Sequence, residues 1–351
     1  MRGCEARLSD RLAVQMLIRA YPPELVERAI RATGRAGFRN RLLPPRIVVY
    51  FVLAMSLFED QSYEHVSSQL AQGLAMSGLR QGAELATTPS TAAISRARAR
   101  LGTEPLKALF AEAVTASPAR AADRSGARYR RWRLRIMDGD LAVVPHSRSN
   151  AIAYSAPGGA NRPAAPSARV SVLAENGSSH LLAADVSPAD DFPRSPVEHL
   201  TRTLGPGDLL LADGDYARPA LWRTAAATRA DLLWSVPESV TLPAGEAQRD
   251  GSRLCVLRGG SRTAEGLVRV LDPARPGGGE LITTLLDCDS APADELRAVH
   301  AGRWNLKQDD VLRDRVTLPL RSRSPEMVEQ EIWGHLLICS AIRRLANTGI
   351  A

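Results

Sequence analysis

The sequence predicts an α/β protein with an all-helical N-terminal domain and a β-rich insertion. Apolar side chains recur at helical spacing through residues 1–115, and short apolar strands interrupted or ended by aspartates follow from residue 132. Short β segments separated by Gly-, Pro- and Arg-rich turns then occupy about 232–286. We therefore expect a basic helical domain over 1–115, a linker over 116–131, and an α/β domain over 132–351 that contains the insertion.

The main helix of the N-terminal domain is predicted over Ile47 to Phe58, directly after two prolines. This run is apolar nearly all round, which is typical of a buried central helix. It is shorter than the roughly 20 residues that cross a bilayer, so no membrane span is expected. Ser62 and Ser90 are candidate N-caps of the helices that follow.

Positive charge is concentrated in the N-terminal part. Residues 1–130 contain 19 Lys and Arg residues against 11 Asp and Glu, whereas residues 131–351 contain 26 against 27. A basic surface attracts polyanions, and nucleic acid is the partner that this distribution indicates.

The segment from Thr87 to Gly102 resembles the second helix of a helix-turn-helix. Arg96 and Arg100 lie one turn apart on the same face, and Arg98 stands between them. Arginines placed in this way can contact a nucleic-acid groove, so these three form the predicted DNA-contact set of the helix. An ordinary amphipathic helix with a solvated basic face is the alternative.

Asp138 interrupts an apolar strand that resumes at Leu141 to Val144. An ionised carboxylate on a central strand needs a partner, which predicts that Asp138 opens into a metal-binding cleft. Because Asp-Gly is also a strong hairpin signal, a turn at Asp138-Gly139 is the alternative.

A second aspartate ends the next apolar strand. A hairpin is predicted first, with strands over Arg169 to Glu175 and Ser179 to Val186, followed by a helix over Ser195 to Leu204. The strand from Asp208 to Asp213 then terminates on a carboxylate, and α/β sheets bind ligands at such strand ends. Alternatively, Asp213 caps the following helix.

The four cysteines are far apart in the sequence: Cys4, Cys255, Cys288 and Cys339. None of them forms a C-x-x-C pair or lies in a histidine cluster. This pattern argues against a structural zinc site and indicates a reduced, cytoplasmic setting.

The order of these segments resembles the DDE-type transposases of bacterial insertion sequences, specifically the IS-four group. The matching segments are Leu43 to Ala54, Ile136 to Asp140, Leu210 to Tyr216, Ala230 to Trp234, Leu281 to Asp287, Leu320 to Glu326 and Glu331 to Gly334. The resemblance implies an RNase H-like mixed sheet with flanking helices and a DNA-binding N-terminal domain. It also implies cleavage and strand transfer of the DNA ends of an insertion sequence with two Mg²⁺ or Mn²⁺ ions, since carboxylates are the natural ligands of paired hard cations. Double-stranded DNA as partner, a homodimer on that DNA, and a nucleoid-associated cytoplasmic location follow from the same resemblance.

Residue by residue, the resemblance gives Asp138 and Asp213 as the first two metal ligands. The family's signature helix (Tyr, Arg, Glu, Lys) falls on His300, Arg303, Lys307 and Asp314. Lys307 therefore occupies the glutamate position, where an ammonium group cannot ligate a cation and repels it. Asp310, about one turn further on, is the alternative third ligand.

The expected site thus consists of a catalytic set and a set of DNA contacts. The catalytic set is Asp138, Asp213, Arg303 and Lys307; the DNA contacts outside the N-terminal domain are Arg303, Arg321 and Arg323. The second motif also departs from the family, because Asp213 is followed by Gly-Asp-Tyr rather than Arg-Gly-Phe or Arg-Gly-Tyr.

Three functions remain open from the sequence. The first is a transposase, whose cleavage can be impaired by Lys307. The second is a catalytically inactive DNA-binding derivative, either decayed or recruited by the host. The third is an enzyme that has been repurposed around Lys307, which would act as an acid, a base or a cation.

Overall fold

The computed structural model describes ten stretches of the chain. They are residues 12–36, 43–77, 89–115, 126–154, 165–189, 197–257, 264, 266–272, 279–303 and 320–347. Within these stretches, no helix combines the length and the apolar character that crossing a membrane requires.

The N-terminal part is helical, as predicted. Helix α1 covers residues 12–20, α2 Pro23–Ala32, α3 Pro45–Leu57, α4 Tyr63–Met76, α5 Thr91–Leu101 and α6 Glu104–Thr115. Every residue from Ile47 to Ser56 in α3 is buried, which confirms the predicted central helix. Ser62 and Ser90 cap α4 and α5, because their hydroxyls accept the amide protons of His65 and Ala93 at 3.2 and 3.3 Å.

Strands dominate the rest of the chain. They are β1 Arg128–Tyr129, β2 Trp132–Val143, β3 Ser167–Glu175, β4 Leu181–Pro188, β5 Asp208–Ala212, β6 Asp231–Ser235, β7 Glu246–Ala247, β8 Arg253–Leu257, β9 Gly266–Leu271 and β10 Leu281–Thr283. The helices among and after them are α7 Arg148–Ala153, α8 Pro219–Ala227, α9 Ala293–Ala301 and α10 Pro325–Asn347. Two 3₁₀ turns cover Val197–Thr203 and Gly214–Tyr216, so the described part of the predicted helix from Ser195 is a 3₁₀ turn.

The strands form one mixed sheet in the order β4-β3-β2-β5-β6-β10-β9-β8-β7, with β1 paired to β2. Strand β3 is antiparallel to both β2 and β4, whereas β5 and β6 run parallel to β2. The predicted hairpin is confirmed as β3 and β4, and the predicted strand before Asp213 is confirmed as β5.

Different helices cover the two faces of this sheet. On one face, Ile136 of β2 and Leu211 of β5 pack with Leu296 of α9 in one apolar cluster. On the other face, Met137 of β2 packs with Leu221 of α8. Because successive strand residues point to opposite faces, the side chain at position 138 lies on the face that α9 covers.

Helix α10 packs into the N-terminal helical core. Ile332 of α10 lies in the same apolar cluster as Val52 of α3 and Phe110 of α6, and Trp333 makes an edge contact with Phe110 at a ring separation of 5.3 Å. This corrects the predicted division of the chain, since the last helix of 132–351 is part of the core formed by 1–115. Burial of the apolar side chains of α10 against α3 and α6 stabilises this contact, although the helices are far apart in the sequence.

The predicted insertion also begins later than expected. Strand β6, assigned to the insertion at 232, pairs with β5 in parallel and is part of the central sheet. Strands β7 to β10 are the described part of the insertion, and they extend the same sheet because β10 pairs with β6. An apolar run of five residues does not by itself tell an insertion strand from a central one.

Candidate functional site

Asp138 lies in the middle of β2. The strand runs without interruption from Trp132 to Val143, so the alternative of a hairpin turn at Asp138-Gly139 is excluded. The carboxylate is buried, and its Oδ1 accepts the amide proton of Gly139 at 2.8 Å. A glycine is needed at 139, because a Cβ there would lie 2.3 Å from the hydroxyl of Tyr216 and 2.6 Å from the carbonyl oxygen of Val170.

Asp213 directly follows β5 and lies beside Asp138. The parallel register pairs Met137 with Ala212, so the next position on each strand holds an aspartate. Adjacent strands are about 5 Å apart, and both aspartates lie two residues beyond apolar side chains of the α9 face. Asp213 has an extended backbone and its side chain forms no cap hydrogen bond, which argues against the capping alternative. The structure therefore brings the two predicted carboxylates together on one face.

Arg303 lies beside this carboxylate pair and contacts Asp213. Its guanidinium forms an ion pair with Asp213, whose side chain is 36% exposed. The same guanidinium donates to the backbone carbonyl of His300 at 2.8 Å, which fixes its direction.

His300 contacts both Arg303 and the end of strand β5. Its Nε2 lies 3.2 Å from the carbonyl oxygen of Ala212, the last residue of β5. Burial, and secondarily the positive charge of Arg303, lower the pKa of His300 from 6.5 to about 4. A neutral imidazole therefore links α9 to the strand that presents Asp213.

The alternative third ligand, Asp310, lies outside the described residues, as do Lys307 of the catalytic set and Asp314 of the signature helix. Asp138 and Asp213 supply two carboxylates, and the described residues add no third ligand near enough to complete a metal-binding group there. Moreover, Arg303 already neutralises Asp213. The described residues by themselves therefore do not fit a two-ion site.

Three side chains of metal-ligating types do meet elsewhere in the described chain, at Asp287, Cys288 and Asp289. Here the Asp287 carboxylate accepts the amide proton of Asp289 at 3.0 Å, and Asp289 pairs with Arg249 at 3.4 Å. These contacts are those of a surface turn between β10 and α9.

Of the predicted basic contacts on α5, Arg96 and Arg100 are exposed, whereas Arg98 is completely buried. Arg98 donates to the Gln330 side chain at 3.1 Å and to the Glu331 carboxylate at 3.3 Å, so the prediction that it contacts DNA is wrong. The helical period places position 98 about 160° away from the common face of Arg96 and Arg100, toward the core.

Arg321 is also engaged within the protein. It donates to the carbonyl oxygen of Gln61 at 2.5 Å and to that of Met55 at 3.2 Å, at the turn between α3 and α4. These bonds fix the guanidinium, which is partly exposed, so DNA contact by Arg321 stays a prediction. The side chain of Arg323, two residues further on, is exposed.

Sequence reasoning missed the buried acceptor that organises this region. The carboxylate of Glu331 accepts the amide proton of Arg321 at 2.8 Å and the hydroxyl proton of Ser322 at 2.5 Å, besides its bond to Arg98. The available signal was its position among apolar residues in the helical pattern of α10, where a carboxylate needs partners.

Comparisons with known sequences agree with the predicted resemblance. Residues 11–111 match the family model described as the insertion element 4 transposase N-terminal domain. The chain is 25% identical over 346 residues to the transposase InsG of insertion sequence element IS4 from Escherichia coli (strain K12), covering 92% of this chain and 74% of that protein. Among solved structures, a piggyBac transposase synaptic complex with hairpin DNA aligns with a TM-score of 0.45 and 9% identity, covering 97% of this chain and 76% of that one.

Proposed function

Because this chain resembles the insertion-sequence transposases of the IS-four group over nearly its whole length, we propose that it acts on the DNA ends of an insertion sequence, with impaired cleavage. The observation that supports a cleavage-type site is the placement of Asp138 and Asp213 side by side on neighbouring parallel strands. Two carboxylates on one face of a sheet are the minimum from which a divalent-ion site for phosphodiester chemistry can be built.

The strand arrangement supports an RNase H-like core for this site. Three strands that alternate in direction (β4, β3 and β2) are followed by β5 and β6, both parallel to β2. In this arrangement Asp138 lies on the central strand and Asp213 at the carboxyl end of its parallel neighbour, where α/β sheets bind ligands.

The impairment follows from the charges at the site. The glutamate position of the signature helix is Lys307, and Arg303 is paired with Asp213. Two Mg²⁺ or Mn²⁺ ions, if bound, would stabilise the attacking and leaving oxygens of the phosphodiester. A lysine in place of a ligand both removes an oxygen donor and repels the ions, so we expect weak or absent cleavage together with retained DNA binding.

The DNA-binding part of the proposal rests on the N-terminal helices. Helix α5 presents Arg96 and Arg100 on its exposed side, and the alanines at 92 and 99 beside them leave room for a close approach to a groove. Contact between double-stranded DNA and this helix, and a homodimer on that DNA, complete the proposed assembly.

The test is Mg²⁺-dependent nicking of a supercoiled plasmid that contains the DNA flanking the gene. We expect little nicking by the wild type and an increase of at least about tenfold in Lys307→Glu, since even an outer-shell partner of a metal typically contributes 10–100-fold. Lys307→Gln is the matched control that removes the charge without supplying a ligand, and it should stay below Lys307→Glu. Adding Asp138→Asn to Lys307→Glu should abolish the nicking.

Each other outcome changes the proposal in a defined way. Nicking by the wild type at the rate of Lys307→Glu would show that cleavage is not impaired. DNA binding without nicking in every variant would favour the inactive DNA-binding derivative, which the Arg303–Asp213 pair already supports. Neither binding nor nicking by any variant would overturn the proposal.

A further inference from the structure

We propose that a second basic surface, formed by His146, Arg148 and Arg323, binds backbone phosphates of DNA at a distance from the carboxylate pair. We name it the Arg148–Arg323 platform. This inference rests on the proposed function and specifies where the substrate continues beyond the reacting phosphodiester.

The platform is built from two segments that are far apart in sequence and bound to each other by side chains. The hydroxyls of Ser147 and Ser149 both donate to the carbonyl oxygen of Arg323, at 2.7 and 2.8 Å. Asn150, which is fully buried, donates to the carbonyl oxygen of Ser322 at 3.1 Å and to that of Pro145 at 2.9 Å. The loop after β2 with the first turn of α7, and the loop before α10, therefore form one rigid unit.

Glu331, which is buried, also fixes the loop before α10. Its carboxylate accepts the amide proton of Ser322 at 3.3 Å as well as the bonds from Arg321, Ser322 and Arg98 described above. A loop whose backbone is fixed from both sides loses little conformational entropy when it binds a ligand.

Basic side chains lie on the outer side of this rigid unit. His146, Arg148 and Arg323 are all exposed. Among the described residues, neither Arg148 nor Arg323 forms a hydrogen bond or an ion pair with its side chain. Two unpaired guanidinium groups on a rigid support are suited to phosphate oxygens, to which arginine donates two parallel hydrogen bonds.

The position of the platform relates it to the carboxylate pair. Strand β2 contains Asp138 and ends at Val143, five residues before Arg148. At about 3.3 Å per residue, the end of β2 lies about 17 Å from Asp138, which corresponds to about five base pairs of duplex DNA. A duplex bound at the carboxylates can therefore extend over the platform, which would hold the backbone without reading bases.

The test compares the salt dependence of DNA binding. The full-length chain and its Arg148→Gln/Arg323→Gln variant are titrated with a fluorescein-labelled 30-base-pair duplex of mixed sequence at several KCl concentrations. Each phosphate contact contributes about 0.9 to the slope of log K against log salt, so the double variant should lose about 2 units of slope. Arg148→Lys/Arg323→Lys should retain most of the slope, because lysine still binds phosphate as a point charge.

Arg202→Gln is the matched control. Arg202 is also exposed, but it lies in the 3₁₀ turn Val197–Thr203, whose buried residues pack on the face of the sheet opposite to Asp138. Its slope should equal that of the wild type, and circular dichroism should show all variants folded.

The outcomes separate this inference from the function on which it rests. Wild-type binding with an unchanged slope in the double glutamine variant would overturn the platform alone. A loss of about 1 unit of slope in Arg202→Gln, half of that in the double variant, would also overturn it, since the effect would then be one of net charge. If the wild type fails to bind the duplex, the proposed function fails first.

Discussion

Two arginine–carboxylate pairs in this molecule have the same chemistry and opposite surroundings. Arg98 and Glu331 are almost fully buried, and each forms further hydrogen bonds within the protein: Arg98 donates to Gln330 and Tyr63, and Glu331 accepts from the amide of Arg321. Arg303 and Asp213 lie at the carboxyl end of the inner strand β5, where Asp213 is about one-third exposed beside a second carboxylate. The first pair connects α5 to α10, whereas in the second a ligand can compete with one member for the other.

The difference shows that an ion pair has to be judged by what else its members contact. A buried pair whose members are all hydrogen-bonded is costly to break, because the remaining charge has no water to solvate it. A partly exposed pair contributes little to stability and can exchange one partner for a cation or a phosphate. Predictions follow for each pair, beginning with the largest effect.

Replacing Arg98 by methionine should lower the free energy of unfolding by about 3–5 kcal/mol, because Glu331 is left buried without its cation. Urea denaturation followed by circular dichroism measures this change. The control is Arg96→Met on the exposed side of the same helix, which should change the stability by less than about 0.5 kcal/mol. Equal effects of the two substitutions would contradict the distinction between the two sides of α5.

His300, which contacts Arg303 of the partly exposed pair, should make the free energy of unfolding depend on pH. Its pKa is about 4 in the folded protein, against 6.5 unfolded, so the unfolded chain binds the proton more tightly. Stability is therefore lost as the pH falls below 6.5, by about 2 kcal/mol between pH 7 and pH 5. In His300→Gln the difference between these two pH values should shrink by that amount in urea titrations. An unchanged difference would show that His300 is not buried as a neutral group.

Arg303→Gln should have the smallest effect on stability, less than about 1 kcal/mol, because its ion pair is partly exposed. Its effect on cation binding should be larger, since it removes a positive charge next to Asp213. We expect Mn²⁺ to bind about tenfold more tightly than to the wild type, as measured by isothermal titration calorimetry. The control variant Asp213→Asn/Arg303→Gln should bind Mn²⁺ no more tightly than the wild type. If Arg303→Gln loses more than about 2 kcal/mol of stability and its Mn²⁺ affinity is unchanged, the pair is not exchangeable.

The sequence predicts the carboxylate pair well for a physical reason. An aspartate within an apolar strand and another at the end of one are conspicuous, and parallel pairing of such strands brings them together without further information. The buried role of Arg98 could not be predicted in the same way. The prediction grouped Arg98 with Arg96 and Arg100, and only the packing of α10 supplies the acceptors that hold it in the core.

Contacts between distant segments account for the other differences. The insertion was predicted to begin at Leu232 because β6 resembles the short strands that follow it, and only its pairing with β5 places it in the central sheet. The bonds from Ser147 and Ser149 to Arg323 join positions more than 170 residues apart, and no local pattern indicates such a join.

The packing of α10 into the N-terminal core also has a consequence for synthesis on the ribosome. Helices α2 to α6 are made first, yet the apolar surface that Ile332 and Trp333 cover stays open until more than 200 further residues have been translated. During that interval the nascent chain exposes the face of α3 that its last helix later covers, so folding of the N-terminal part is completed only after most of the sheet has formed. A fragment that stops before Pro325 should therefore bind chaperones and aggregate.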